Sequence, residues 1–304
     1  MVTTATPRAL TAPPVWVVLG ALSLSSSSIL IAIAGTPTAT TTFWRCGLAL
    51  VLLAPLLAWE LRRHGLPDRR TLWMGSLAGV FLGADFLLWN VSIGDVGAGI
   101  ATVLANLQVV MFPLVARVFT GVRLDRRFVL ALPVLLVAAA AAGGVIGPVA
   151  LGENPLRGTV FALTAALGYS GFLYFSRECG VRAPRHVVTP VFFATASAAA
   201  LAVVFGGLTT GIQFSLGPRT WLALALVAVF GQVLGWLLVG WGLPRLAPAV
   251  SSALLLLQPI GAVLLAMVVL GEVPSVTQVA GGAVVLAVVW LLVAGKPRNS
   301  PHQG

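Results

Sequence analysis

The chain has 304 residues, of which 59% are hydrophobic and only 9% charged, and its formal net charge is +10. Mean hydropathy is +1.02, whereas a soluble domain carries roughly 25% charged residues. So little charge cannot cover the surface of a water-soluble protein, which excludes that class and indicates an integral membrane protein. The positive balance is not a nucleic-acid signature either, because the arginines sit in short loops between apolar runs, as cytoplasmic flanks of membrane helices do.

Taken in order, the hydropathy pattern predicts ten helical spans, over residues 15–35, 39–61, 71–92, 96–118, 125–147, 157–178, 187–209, 219–242, 246–270 and 275–294. Each is long enough to cross a hydrocarbon core of about 30 Å. The first ends on Ala32-Ile33-Ala34, which looks like a signal cleavage site, but the apolar run is long and only Arg8 precedes it, so retention is expected. One set of alternate ends collects Arg8, Arg62, Arg63, Arg69, Arg70, Arg117, Arg123, Arg126, Arg127, Arg177, Arg182, Arg185, Arg245, Lys296 and Arg298; the other holds Arg157 and Arg219. That bias places both termini in the cytoplasm. Cys46 is expected on a helix and Cys179 in a cytoplasmic loop, so neither a disulfide nor a metal site is expected.

The chain repeats itself. Ile100 to Leu124 aligns with the stretch centred on Ser251 to Glu272 at an offset of 150 residues, matching Gln108 with Gln258 and Gly121 with Gly271. Gly79-Val80-Phe81-Leu82-Gly83, followed by Trp89, aligns at an offset of 152 with Gly231-Gln232-Val233-Leu234-Gly235, followed by Trp241. Five spans per half is an odd number, so the second half must enter the membrane from the opposite side. The expected fold is therefore an all-α integral membrane protein with ten transmembrane helices in an inverted five-plus-five repeat. Its parts are a cytoplasmic tail over 1–14, repeats over 15–147 and 157–294, and a cytoplasmic tail over 295–304. Gly75, Gly79 and Gly83 should let a neighbouring backbone approach span 3. Pro113, Pro133, Pro190 and Pro259 should interrupt helices in mid-span, with Pro259 beside Gln258 able to shape a cavity wall.

Two charges stand clearly inside spans, Arg45 and Asp85, at matched depths of roughly 10 Å below the outer surface. They could pair to pin helices 2 and 3, Arg45 could snorkel to the interface, or the two could line a cavity and meet a zwitterionic or charged substrate. Asp85 could also accept a proton. Its repeat counterpart is Leu237, so the architecture alone does not demand a carboxylate. Further candidates are Gln108 and Gln258 at equivalent central positions, Asn106 on the face of Thr102, Ser251 on the face of Gln258, and Trp89 among aromatic residues that either line the cavity or anchor the helices. Ser25 to Ser28 should mostly bond their own helix, and Glu272 should make a helix-end or loop contact.

Absences narrow the chemistry. Lys296 is the only lysine and is followed by Pro297, so no phosphate-binding loop for ATP exists; His64, His186 and His302 fall in loops or the tail, and no metalloprotease motif is present. No cofactor or metal is expected.

Several stretches together resemble a known family. Thr36 to Pro55, TPTATTTFWRCGLALVLLAP, is similar to the second-helix segment of EamA-type transporters in the drug/metabolite transporter superfamily, with Arg45 in an apolar helix. LANLQ followed by FPLVARVFTGVRL, and ALLLLQPIGAVLLAMVVLGEVPSVTQVAGGAVVLAVVWLL, resemble that family's two repeat endings; Val109 and Val122 depart from it where a proline and a glutamate would stand. The resemblance implies ten helices, cytoplasmic termini and a central cavity moving small metabolites without ATP. The expected partners are membrane lipid and a small-molecule substrate, with protons as a coupling ion; nucleic acid is not expected, and a homodimer is compatible with the pattern. Amino-acid export across a bacterial plasma membrane is the leading expectation. Cationic drug efflux and metabolite uptake are the alternatives within transport, and a lipid flippase or membrane-embedded enzyme is the alternative outside it.

Overall fold

The computed structural model describes residues 13–121, 126–147, 153–242 and 254–294, and every regular element among them is helical. In order these are α1 (Pro13–Ala34), α2 (Thr38–His64), α3 (Arg69–Val96), α4 (Ala98–Ala105), α5 (Gln108–Thr120), α6 (Arg126–Ala142), α7 (Pro155–Arg182), α8 (Val188–Leu208) and α9 (Pro218–Leu226). α9 continues through a π-helical stretch, Val227–Leu234, into α10 (Gly235–Gly242). After the undescribed segment come α11 (Leu257–Leu265), the π-helical Ala266–Leu270, and α12 (Val276–Ala294). Among the described residues, seven helical rods are long and apolar enough to cross a membrane; three shorter apolar helices, Val129–Ala142, Leu257–Leu270 and Val276–Leu292, fall where the remaining spans were predicted.

Sidedness is reversed from that of a soluble protein. Large apolar side chains point outward, Val268 at 83% and Leu130 at 75% exposed, while Arg45 is 2% exposed and Gln232 is fully covered. An apolar outer surface with charged and amide side chains covered inside is the arrangement that a hydrocarbon solvent favours.

Pairwise packing closes into a ring. α1 lies on the α9–α10 rod, that rod on α2, α2 on α8, α8 on α3, α3 on α7, α7 on α4 and α5, α4 on α11, and α11 back on α1; α6 and α12 pack together beside it. Exchanging the halves leaves these neighbours unchanged. α1 touches the third and fourth rods of the second half as α7 touches those of the first, while α2 with α8, α4 with α11 and α6 with α12 each meet their own counterparts.

The repeat persists in local geometry. The fourth rod breaks at Asn106–Leu107, and its counterpart turns at Leu256, the equivalent place. Both rods end on a left-handed glycine, Gly121 at φ 69° and Gly271 at φ 68°, a conformation that costs a residue with a Cβ about 1 kcal/mol or more.

Small residues act as expected on α3: a Cβ on Gly79 would lie 2.2 Å from the Ala194 carbonyl oxygen, and one on Gly83 3.0 Å from the Ala198 Cα, so α3 and α8 meet backbone to backbone. Gly231 and Gly235 instead face Ser27 and Leu24 of α1. Two expectations are corrected. Pro190 is the third residue of α8, in its first turn, where a missing N–H costs nothing, so it interrupts no span. Cys179 is buried inside α7, which runs on to Arg182, and its thiol donates to the Thr71 carbonyl of α3 at 3.5 Å.

Candidate functional site

Arg45 projects from α2 into the ring. Its guanidinium lies over the Phe86 ring of α3, 3.7 Å from the centroid. Its Nη2 donates to Gln232 Oε1 at 3.2 Å and to the Gly231 carbonyl at 3.4 Å. Nε and Nη1 are buried with no partner among the described residues. Burying two bare charged donors is expensive, of order 1–3 kcal/mol for each unmade bond. This is where the interior is incomplete.

Gln232 is held from both ends. Its Oε1 faces the donor-only Arg45, and its Nε2 donates to Thr195 Oγ1 of α8 at 3.1 Å. One turn before Arg45, Thr42 Oγ1 accepts from Asn90 Nδ2 at 3.1 Å; among the described residues Asn90 Oδ1 and Ser27 Oγ, beside Gly231, have no partner. Asp85 is 7% exposed. It makes no hydrogen bond among the described residues, lies within electrostatic reach of Arg45, and is not joined to it by an ion pair. Close to it on α7 is Tyr169, whose ring packs with Phe172 and edge-on to Trp236 at 5.6 Å; the Trp236 indole N–H has no partner.

The other predicted residues separate from this group. Gln108 begins α5, and its main-chain carbonyl accepts from Ser170 Oγ of α7 at 3.0 Å. Gln258, in the first turn of α11, accepts in the same way from Ser25 Oγ of α1 at 2.8 Å. Both serines share that hydroxyl proton with the carbonyl one turn back in their own helix, Ala166 for Ser170 and Ala21 for Ser25. The paired glutamines are therefore docking points between repeats through their backbones. Asn106 caps the end of α4 by donating to the Thr102 carbonyl at 2.9 Å. Trp89 is buried with an unpartnered indole N–H. Trp44 is an anchor near the α8–α9 loop, donating to the Gln213 carbonyl at 2.9 Å among Phe43, Phe214 and Trp221. Ser251 lies outside the described residues.

Sequence reasoning missed Glu60, Asp95 and the pair of Gln232 with Thr195. Glu60 and Asp95 are buried as well as Arg45 and Asp85, Glu60 at the predicted end of its span and Asp95 beyond it, where α3 runs on to Val96. Glu60 caps the start of α8, Oε1 accepting from the Val187 and Val188 amides at 2.7 and 2.8 Å, and Oε2 from the Thr189 amide and hydroxyl at 2.8 and 2.6 Å. Asp95 forms a two-pronged ion pair with Arg157, 2.8 Å to Nε and 2.6 Å to Nη2, tying the end of α3 to the start of α7. Glu272, expected at a helix end, accepts from the Ala98 and Gly99 amides at 2.7 and 3.2 Å and so caps α4. The last of the missed groups is Gln232 with Thr195. Its signal was present: Gln232 lies inside the glycine motif that marks the repeat, where the other half has Val80.

These features define a polytopic helical membrane protein of two related halves with a buried polar cluster around Arg45. The sequence profile of the EamA-like transporter family matches twice, over residues 12–143 and 156–294, and the chain belongs to that family, a membrane transporter of the drug/metabolite type. No curated protein matches the sequence. A solved crystal structure 18% identical superposes with a TM-score of 0.62, over 93% of this chain and 98% of its own; at that identity the likeness shows the fold alone.

Proposed function

We propose that the chain is a secondary transporter that moves a zwitterionic metabolite, an amino acid or a close relative, outward across a bacterial plasma membrane without ATP. One observation carries this reading: Arg45, almost fully buried, keeps two bare nitrogens beside an unpaired Asp85. A substrate carboxylate would complete Arg45 and a substrate ammonium would meet Asp85, each forming a charge-assisted hydrogen bond. Joining the two side chains directly would make the site redundant, and they are apart. Between substrates, Asp85 is the group to take up a proton, which makes proton exchange the natural coupling.

In this reading the ten spans form an inverted pair of repeats, residues 15–147 and 157–294, with tails 1–14 and 295–304 in the cytoplasm. The exchange-symmetric neighbours of α1 and α7 support it. Alternating access then rocks the halves about the central site. The test is purified protein in liposomes against a panel of labelled amino acids, with and without a pH gradient. Saturable flux of one or more, faster with an imposed gradient, is the expected result. Flux of organic cations alone would favour drug efflux, and no amino-acid flux under either condition would refute the substrate class.

A further inference from the structure

We propose that Gln232 sets the charge selectivity of this site, fixing the Arg45 guanidinium with a neutral acceptor so that its positive charge stays available to an anionic group on the substrate. The inference rests on the reading of Arg45 as the substrate's carboxylate anchor and adds the residue that keeps that anchor charged.

Consider what a buried guanidinium ordinarily requires. Left uncompensated in a medium of low dielectric it is costly, and an acidic partner is the usual relief, as Asp95 provides for Arg157 at the edge of the same fold. Arg45 has no such partner. It is met from one side by an amide oxygen, from below by the Phe86 ring, and by one backbone carbonyl. All three contacts orient the group while leaving its charge intact. A glutamate at position 232, the same length as the glutamine, would pair with Arg45 and close the site against anions.

The amide is also prevented from turning. A glutamine presents an oxygen at one end and an NH2 at the other. Because the Arg45 guanidinium can only donate, the oxygen must face it, and the Nε2 that points the other way donates to Thr195 Oγ1. A flipped amide would set two N–H groups against a cation and repel it. Three ring elements therefore join in sequence, α8 through Thr195, the α9–α10 rod through Gln232, and α2 through Arg45. Gln232 lies in the π-helical stretch Val227–Leu234, a widened turn of the kind that recurs at functional sites. The repeat does not supply it, since the first half has Val80. If Gln232 served only to satisfy Arg45, leaving Nε and Nη1 bare would make no sense.

The test is a selectivity ratio, which a general folding defect would not reverse. Each common amino acid is paired with its decarboxylated amine, and both are measured by thermal shift and by proteoliposome flux on wild type and Gln232→Glu. Wild type should favour the amino acid over its amine; Gln232→Glu, with Arg45 neutralised internally and Asp85 still present, should shift the ratio toward the amine by at least about tenfold. A wild type that favours amino acids, with Gln232→Glu keeping the same ratio, overturns the role of Gln232 and leaves the transport reading standing. A wild type that binds amines alone, or neither class, overturns the reading of Arg45 and this inference with it. Thr195→Val provides a second arm should Gln232→Glu not insert. Freeing the amide should raise KM several-fold for the amino acid while leaving the amine unchanged; equal changes for both would also overturn the proposal.

Discussion

Arg45 and Asp85 are buried within electrostatic reach of each other and form no ion pair. Opposite charges on adjacent helices, away from water, would ordinarily close on one another, because a buried cation and anion each cost several kcal/mol unpaired. Holding them apart requires other contacts, and Phe86 and Gln232 provide those for Arg45. In the function proposed above, a ligand carrying both signs would meet Arg45 and Asp85 together.

Asp85→Asn is isosteric and removes the charge without removing volume. The variant should insert with wild-type thermal stability or better, and its flux should fall by at least about tenfold, equivalent to about 1.4 kcal/mol. Proteoliposome transport together with a melting curve separates the two quantities.

Arg45→Met exchanges a buried cation with two bare donors for an apolar chain of similar reach. Arg45 forms no ion pair among the described residues, so the substitution breaks no salt bridge and relieves two bare buried donors, and the melting temperature of this variant should hold. A residue retained solely for structure would behave in the opposite way.

The two helix-capping carboxylates should differ in weight. Glu60 accepts from three amides and a hydroxyl, whereas Glu272 accepts from two amides. With charge-assisted bonds contributing about 1.5–3 kcal/mol in favourable cases, Glu60→Gln should destabilise by about 2 kcal/mol or more, and Glu272→Gln by about 1 kcal/mol. Thermal unfolding in detergent ranks them; an equal effect would contradict the geometry.

Gly79→Ala places a methyl against the Ala194 backbone, where neither side can move cheaply. Overpacking of this kind costs about 1–3 kcal/mol, and the variant should lose stability or fail to assemble. Gly47→Ala is the control, with nothing within 4 Å of the added carbon; it should be neutral or stabilising by about 0.5–1 kcal/mol.

Much of the architecture was legible because the membrane simplifies the code. Long apolar runs can only be helices where no water satisfies the backbone, and the repeat showed through Gln108 with Gln258 and through the glycine pairs. What the sequence could not convey was which atoms those residues use. Gln108 and Gln258 stood out by their side chains, yet their carbonyls make the contacts that join the halves, to Ser170 and Ser25. Periodicity assigns a residue to a position but says nothing about a backbone oxygen. Asp95 was passed over because hydropathy ends its span before it, and Glu60 because a charge at the very end of a span is ordinarily left to water, while a helix capped or paired at its end keeps such a charge buried. Gln232 was hidden by its own motif, read as glycines that pack rather than as the amide between them.

The most direct measurement compares exchange of a labelled amino acid between wild-type and Arg45→Met proteoliposomes matched for inserted protein. Carboxylate anchoring by Arg45 predicts saturable exchange in wild type and a loss of at least about a hundredfold in Arg45→Met at unchanged thermal stability. Exchange at the wild-type rate with an unaltered KM in Arg45→Met would contradict it.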